Sequence, residues 1–169
     1  MRGPSSDETR AQPKHDPHDL RRFVEAQSPV HDMALAEIRS GQKRSHWMWY
    51  VFPQYDGLGR SSIARSYAIK SIAEATAYLQ HEVLGPRLVE CAESLLATKG
   101  RSAHEIFDSP DDMKLRSCAT LFARVSPAGS VFHRLLDRFF GGEADSRTLE
   151  LIERGAPVDD TRGGRIGPT

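Results

Sequence analysis

Between residues 16 and 155 apolar side chains recur at three- and four-residue spacing, and each such run is bounded by helix start and stop signals. Asp16-Pro17 sets a cap residue before a first-turn proline, and Leu20, Phe23, Val24 and Gln27 follow on one face. Pro29 opens a second run with Met33, Ala34, Leu35 and Ile38, closed by Gly41. Gly57-Leu58-Gly59 makes a turn, and Ser61 or Ser62 caps a short helix through Tyr67. Ser71 and Glu74 have the spacing of a capping box ahead of Ala75, Tyr78 and Leu79. Gly85-Pro86 begins a helix with Leu88, Cys91, Ala92, Leu95 and Leu96 on its apolar side, and Gly100 lies past its end.

The C-terminal half continues in the same way. Ser102 and Glu105 form a second capping box before a brief helix ending at Phe107. Ser109-Pro110-Asp111-Asp112 supplies a cap, a proline and two first-turn acids to a helix carrying Met113, Leu115, Cys118, Leu121, Phe122 and Val125. Asp112 and Arg116 have the spacing of an intrahelical ion pair. After Pro127 and Gly129, an amphipathic run with Val131, Phe132, Leu135, Leu136, Phe139 and Phe140 stops at Gly141-Gly142. Asp145 caps a last helix with Leu149 and Ile152, ending at Gly155. Only Trp47 to Phe52 has strand character, and a lone strand has no sheet to join; Trp47, Tyr50 and Val51 also share a helix face. The pattern predicts an all-α fold: one compact multihelical domain of about seven to eight helices over residues 16–155. The polar tails 1–15 and 156–169, with little to bury, are expected to be disordered.

Bulk composition narrows the function classes. A chain of 169 residues fits one domain, and 38% hydrophobic residues support one core. Lys plus Arg balances Asp plus Glu, 23 against 23, so no global field draws in nucleic acid or anionic membrane, and no nucleic-acid partner is expected. No apolar run reaches the roughly 20 residues of a membrane span, and the polar N-terminus has no hydrophobic signal region. Cys91 and Cys118 sit among apolar helical positions and read as buried reduced thiols, which makes the cytoplasm the expected compartment. The histidines lack Cys or acidic partners at ligand spacing, so no metal site is predicted.

Three stretches hold candidate chemistry. The run Lys43 to Gln54 contains both tryptophans, Tyr50, Phe52 and His46. It reads either as the centre of the core or as the wall of a pocket offering Ser45, His46 and Gln54 beside Trp47 or Trp49. Gly57-Leu58-Gly59-Arg60-Ser61-Ser62 reads as a turn plus cap, or as backbone N–H groups around a phosphate, with Arg60 adding charge. Asp111 to Thr120 concentrates polar groups at the start of an otherwise apolar helix, with Lys114 and Ser117 on one face.

These signatures resemble a family of bacterial and fungal proteins catalogued as a domain of unknown function (DUF1810), sometimes labelled calpastatin-like. The resemblance rests on residues 19–27, on Ser45-His46-Trp47-Met48-Trp49-Tyr50-Val51-Phe52-Pro53-Gln54, on Gly57-Leu58-Gly59, on Leu84-Gly85-Pro86-Arg87-Leu88, on Asp111-Asp112-Met113-Lys114-Leu115 and on Thr120-Leu121-Phe122. It implies a compact helical fold without an established activity, and motif positions at Lys43, Ser45, His46, Trp47, Trp49, Gln54, Gly59, Asp112 and Lys114. In the family pattern a Ser commonly stands at the position of Cys118, which weakens any nucleophilic role for that thiol. The inhibitor label fits poorly, because such inhibitors are repetitive and disordered, whereas this chain is a single set of capped amphipathic helices.

Two functions follow as expectations. In the first, a pocket takes an anionic or nucleotide-like small molecule. Trp47 or Trp49 stacks, Lys43, Arg60 or Lys114 neutralises charge, Ser45 and Gln54 hydrogen-bond, and His46, Asp112 or Lys114 would exchange protons if a reaction occurs. In the second, the chain is a non-catalytic helical adaptor whose polar motif only fixes helix register. The sequence specifies no cofactor and no reaction.

Overall fold

A computed structural model describes residues 15–155 of the chain. The two tails lie outside the described residues apart from His15, which is exposed. Ten helices stand among the described residues, seven of them of seven residues or more: α1 (Arg21–Gln27), α2 (His31–Ser40), α3 (Met48–Val51), α4 (Ser62–Ser66), α5 (Ile72–Gln80), α6 (Leu84–Ala97), α7 (Ala103–Phe107), α8 (Asp111–Arg124), α9 (Val131–Phe140) and α10 (Ser146–Gly155). The count is slightly above the predicted seven to eight because of the short helices α3, α4 and α7. No strand forms among the described residues. A single parallel bridge joins Tyr55 to Ile69, with Ile69 N–H donating to the Gln54 carbonyl at 2.9 Å.

The caps explain where most helices begin. Ser61, Ser71 and Ser130 each accept from a backbone N–H of their helix, and Ser102 with Glu105 completes a reciprocal box. Asp16 reaches the N–H groups of Leu20 and Arg21, and Asp145 the N–H of Thr148. Two expectations fail. The Ser71 box is only half formed, since Glu74 turns inward to Arg22. Ser109 does not cap α8: Pro110 occupies that position, and the Ser109 hydroxyl donates to Asp112 Oδ1 at 3.2 Å.

Helix α8 is central, packing on α9, α7, α10 and α5, while α6 bridges α9, α2 and α5. Phe23, Trp47, Phe52, Tyr78 and Phe122 are the largest fully buried side chains. An aromatic chain runs through the middle: Phe23 meets Tyr78 edge-on at 5.1 Å, Tyr78 meets Phe122 at 5.3 Å, and Phe122 meets Phe132 at 5.5 Å. Gly85 is required where α5 meets α6, because a Cβ there would overlap the Leu79 carbonyl oxygen. No helix is long and apolar enough to cross a membrane.

Candidate functional site

The 43–52 segment takes its shape from one carboxylate. Glu37, buried in the last turn of α2, accepts through Oε1 from the N–H groups of Arg44 at 2.5 Å and Ser45 at 2.7 Å, and from the Trp47 indole at 3.2 Å. Burial pushes the Glu37 carboxyl up, but these donors outweigh it and hold the group below the usual carboxylate range. The pinned loop drives Trp47 into the core, where it is 0% exposed and packs on Phe52 and Phe107. Only Met48–Val51 then winds into a helix, as its shared face allowed.

Lys43 connects this segment to α8. Its N–H donates to the Ile106 carbonyl at 2.8 Å, and its ammonium, with the side chain only 7% exposed, reaches Asp111 Oδ2 at 3.0 Å. The same ammonium donates to the Ser45 carbonyl and lies 5.0 Å from the centre of the Trp47 ring. Lys114 approaches the other oxygen of Asp111 at 3.3 Å and stands over the half-buried Trp49 ring at 5.5 Å. One carboxylate thus serves two ammonium groups.

Beside Lys114 opens a cleft of about 360 Å³. Gln54, Leu58 and Gly59 line one part of it, and Pro110, Met113, Lys114 and Ser117 another, with Asp145 and Arg147 also at its surface. Asp145 is committed to α10, accepting from the Thr148 N–H at 2.9 Å and hydroxyl at 2.6 Å. Among the described residues Arg147 pairs only with the exposed Glu150, at 3.3 Å.

Of the predicted site residues, Gln54 and Lys114 line the cleft, and Lys43 joins them through Asp111. The others stand elsewhere. Trp47 is sealed in the core and offers no face for stacking, while the Trp49 face carries the Lys114 ammonium. His46 is exposed and does not line the cleft; its carbonyl accepts from the Tyr50 hydroxyl at 3.3 Å. Arg60 is exposed and also outside the lining. Ser45 directs its hydroxyl to Met33 Sδ at 3.7 Å. Asp112 faces α7, 3.4 Å from His104 Nδ1, and Arg116 pairs with Glu143 rather than with Asp112.

The Ser109, His104 and Asp112 group does not form a catalytic relay. Serine and aspartate both approach the same ring nitrogen, at 3.5 and 3.4 Å, whereas a relay needs one nitrogen for each. The glycine turn is explained by packing: a Cβ on Gly59 would overlap Ala64 Cβ, and one on Gly57 would lie 3.1 Å from Leu151 Cδ2. Both cysteines are buried and free, and burial pushes the Cys91 thiol up to about 12 and the Cys118 thiol well above its usual value. Among the described residues no group of three His, Cys, Asp or Glu could hold a metal ion.

Glu37 and Asp145 escaped the sequence reading as site-forming residues, and Arg147 as a cleft cation. The signal for Glu37 was an acid on the core side of α2, three residues after Ala34 and one before Ile38.

A family model described as a protein of unknown function (DUF1810) matches residues 17–152. Among solved structures, the chain is similar to the crystal structure of the conserved hypothetical protein Rv1873 from Mycobacterium tuberculosis, with 53% identity and a TM-score of 0.80. That match covers 82% of this chain and 99% of the other. No curated protein matches.

Proposed function

The chain belongs to the DUF1810 family, and we propose that the cleft beside Lys114 binds a small anionic, nucleotide-like molecule. One observation carries this reading: Lys114 and Arg147 line the cleft against the one carboxylate of Asp145, which Thr148 already engages, while the ion-pair partner of Lys114, Asp111, is shared with Lys43 behind the wall. Lys43 is held by its buried surroundings, which leaves Lys114 as the cation that can turn to a ligand. Arg147 adds a second, surface-exposed charge. Leu58, Pro110 and Met113 supply apolar wall, and Gln54 and Ser117 supply hydrogen-bonding groups, the mixture that small-molecule sites use. The role is binding; neither His46 nor Asp112 is placed to exchange protons with a molecule in this cleft. Two buried free thiols suit a reducing compartment such as the cytosol.

Calorimetric titration with nucleoside mono- and diphosphates tests the reading. Wild-type protein should bind at least one, and Lys114→Met should keep the melting temperature while losing binding roughly tenfold or more. Absence of heat from every nucleotide at millimolar concentration, with the protein folded, would remove the proposal and leave the helical adaptor. The exposed Met33 and Met113, at 45% and 46%, would then be the adaptable apolar contacts to examine.

A further inference from the structure

A second cleft, of about 410 Å³, lies where the chain entering α1 meets the end of α4 and the start of α5. Its floor holds the Arg22–Glu74 ion pair at 3.1 Å, with Glu74 only 3% exposed. Arg22 has no spare donor. Its five N–H groups are matched by five contacts, to the carbonyls of His18, Asp19, Ser66 and Ala68 and to Glu74 Oε2. That pair is therefore internally neutral and closed to a ligand.

The cleft's other cations differ in this respect. Arg65 and Lys70 both line it, both are exposed, and neither side chain makes an ion pair or hydrogen bond among the described residues. Against these two charges stands one further acid, Asp19 at the rim, so the open part of the cleft is net cationic. The nine-residue helix α5 begins here at Ser71, whose hydroxyl already serves the Glu74 N–H, and its positive end adds to the field. An unengaged guanidinium fork together with an unengaged ammonium suits a tetrahedral dianion better than a planar carboxylate, since the two can hold different oxygens. The volume exceeds what one phosphate group fills, and Asp19 offers an acceptor for a hydroxyl on the remainder of the ligand.

We propose that this second cleft binds the phosphate group of a small phosphorylated polyol, with Arg65 and Lys70 as the two anion contacts and Asp19 as the hydroxyl contact. The proposal is independent of the Lys114 cleft. The test is calorimetric titration of the full chain with ribose 5-phosphate, inorganic phosphate and ribose. Ribose 5-phosphate should bind most tightly and ribose not at all. Arg65→Gln and Lys70→Gln should each weaken ribose 5-phosphate roughly tenfold or more with unchanged melting temperature, since both side chains are exposed and have no ion-pair or hydrogen-bond partner among the described residues, while Lys99→Gln, at an exposed lysine outside both clefts, should bind as wild type. Equal affinity for inorganic phosphate would overturn the polyol part. No binding of ribose 5-phosphate at about 10 mM, or an equal loss in Lys99→Gln, would overturn the site itself.

Discussion

Lys43 and Asp111, from opposite sides of the aromatic segment and the α7 turn, meet at 3.0 Å in a largely buried ion pair. The contact fixes the 43–52 segment against the first turn of α8. Removing the anion alone leaves an ammonium with the Ser45 carbonyl and the Trp47 ring as its remaining partners. Asp111→Asn should therefore lower stability by about 2–3 kcal/mol, below the full cost of breaking a buried pair because Asp111 retains some exposure. Lys114→Met, acting on the more exposed partner, should cost less than about 1 kcal/mol. Urea midpoints at neutral pH measure both, and equal losses would contradict the hierarchy.

Glu37 predicts a pH dependence. Its folded-state pKa lies below the ordinary value, so its contribution to stability is complete above the ordinary carboxylate range. That contribution is lost as pH falls through the lowered value. Glu37→Gln should flatten the acid side of the stability profile. Glu37→Ala should cost about 3 kcal/mol by stranding two backbone N–H groups and the indole of Trp47. Denaturation curves carried from neutral pH down to below the ordinary carboxylate range decide it; an unchanged acid limb in the Gln variant would show that Glu37 is not the responsible group.

Helix starts at Ser61, Ser71, Ser102 and Asp145 were legible in the sequence because a cap is a local event, settled within three or four residues. The same holds for the buried stripe of Leu88, Cys91 and Leu95. Pairings that depend on distant segments were not legible. Arg116 had a local partner in Asp112 but lies against Glu143, and Glu74 left its capping role for Arg22. The candidate site divides in the same way. The aromatic segment and α8 are joined by the Lys43–Asp111 pair, and His46, proposed from the sequence as a pocket residue, does not line the cleft. Residue type says nothing about which side of an irregular loop faces a cleft, and the Glu37 anchor that sets the loop was not recognised.

Backbone proximity gives a third test. Gly85→Ala places a methyl group on the Leu79 carbonyl oxygen, which helices α5 and α6 can relieve only by separating. A loss of about 2–3 kcal/mol is expected. Gly100→Ala meets nothing within 4 Å and should cost only about 1 kcal/mol, from its positive φ of +71°. Thermal melts of the two variants should differ clearly, and matching melts would rule out the close approach.

The thiols supply a probe of global unfolding. Cys91 and Cys118 are both buried, with the Cys91 pKa raised to about 12, so neither presents thiolate at pH 8. Native protein should leave an aromatic disulfide reagent unreacted, and both thiols should become reactive together across the urea transition. Rapid labelling of either in native buffer would mean that α6 or α8 opens locally.

Arg22 is the residue on which the second cleft's floor depends, and a conservative exchange there should be costly. The guanidinium ties the turn before α1 to the end of α4 and to the start of α5 through five hydrogen bonds, two of them from Nη2 to the Ala68 carbonyl and Glu74. A lysine has three donors on one atom and cannot span those directions. Arg22→Lys should lose about 2–3 kcal/mol in urea denaturation. Burial already raises the Glu74 carboxyl above its usual range despite Arg22, so the ionised form is disfavoured in the fold. Its effect on stability therefore worsens as pH rises through the ordinary value towards the raised one. In Arg22→Met the carboxylate loses its only ion-pair partner among the described residues, and that decline with rising pH should become steeper. Adding Glu74→Gln to Arg22→Met should abolish the steeper decline and recover part of the stability. Failure of the second substitution to do so would show that the arginine acts through the carbonyls of His18, Asp19, Ser66 and Ala68 alone.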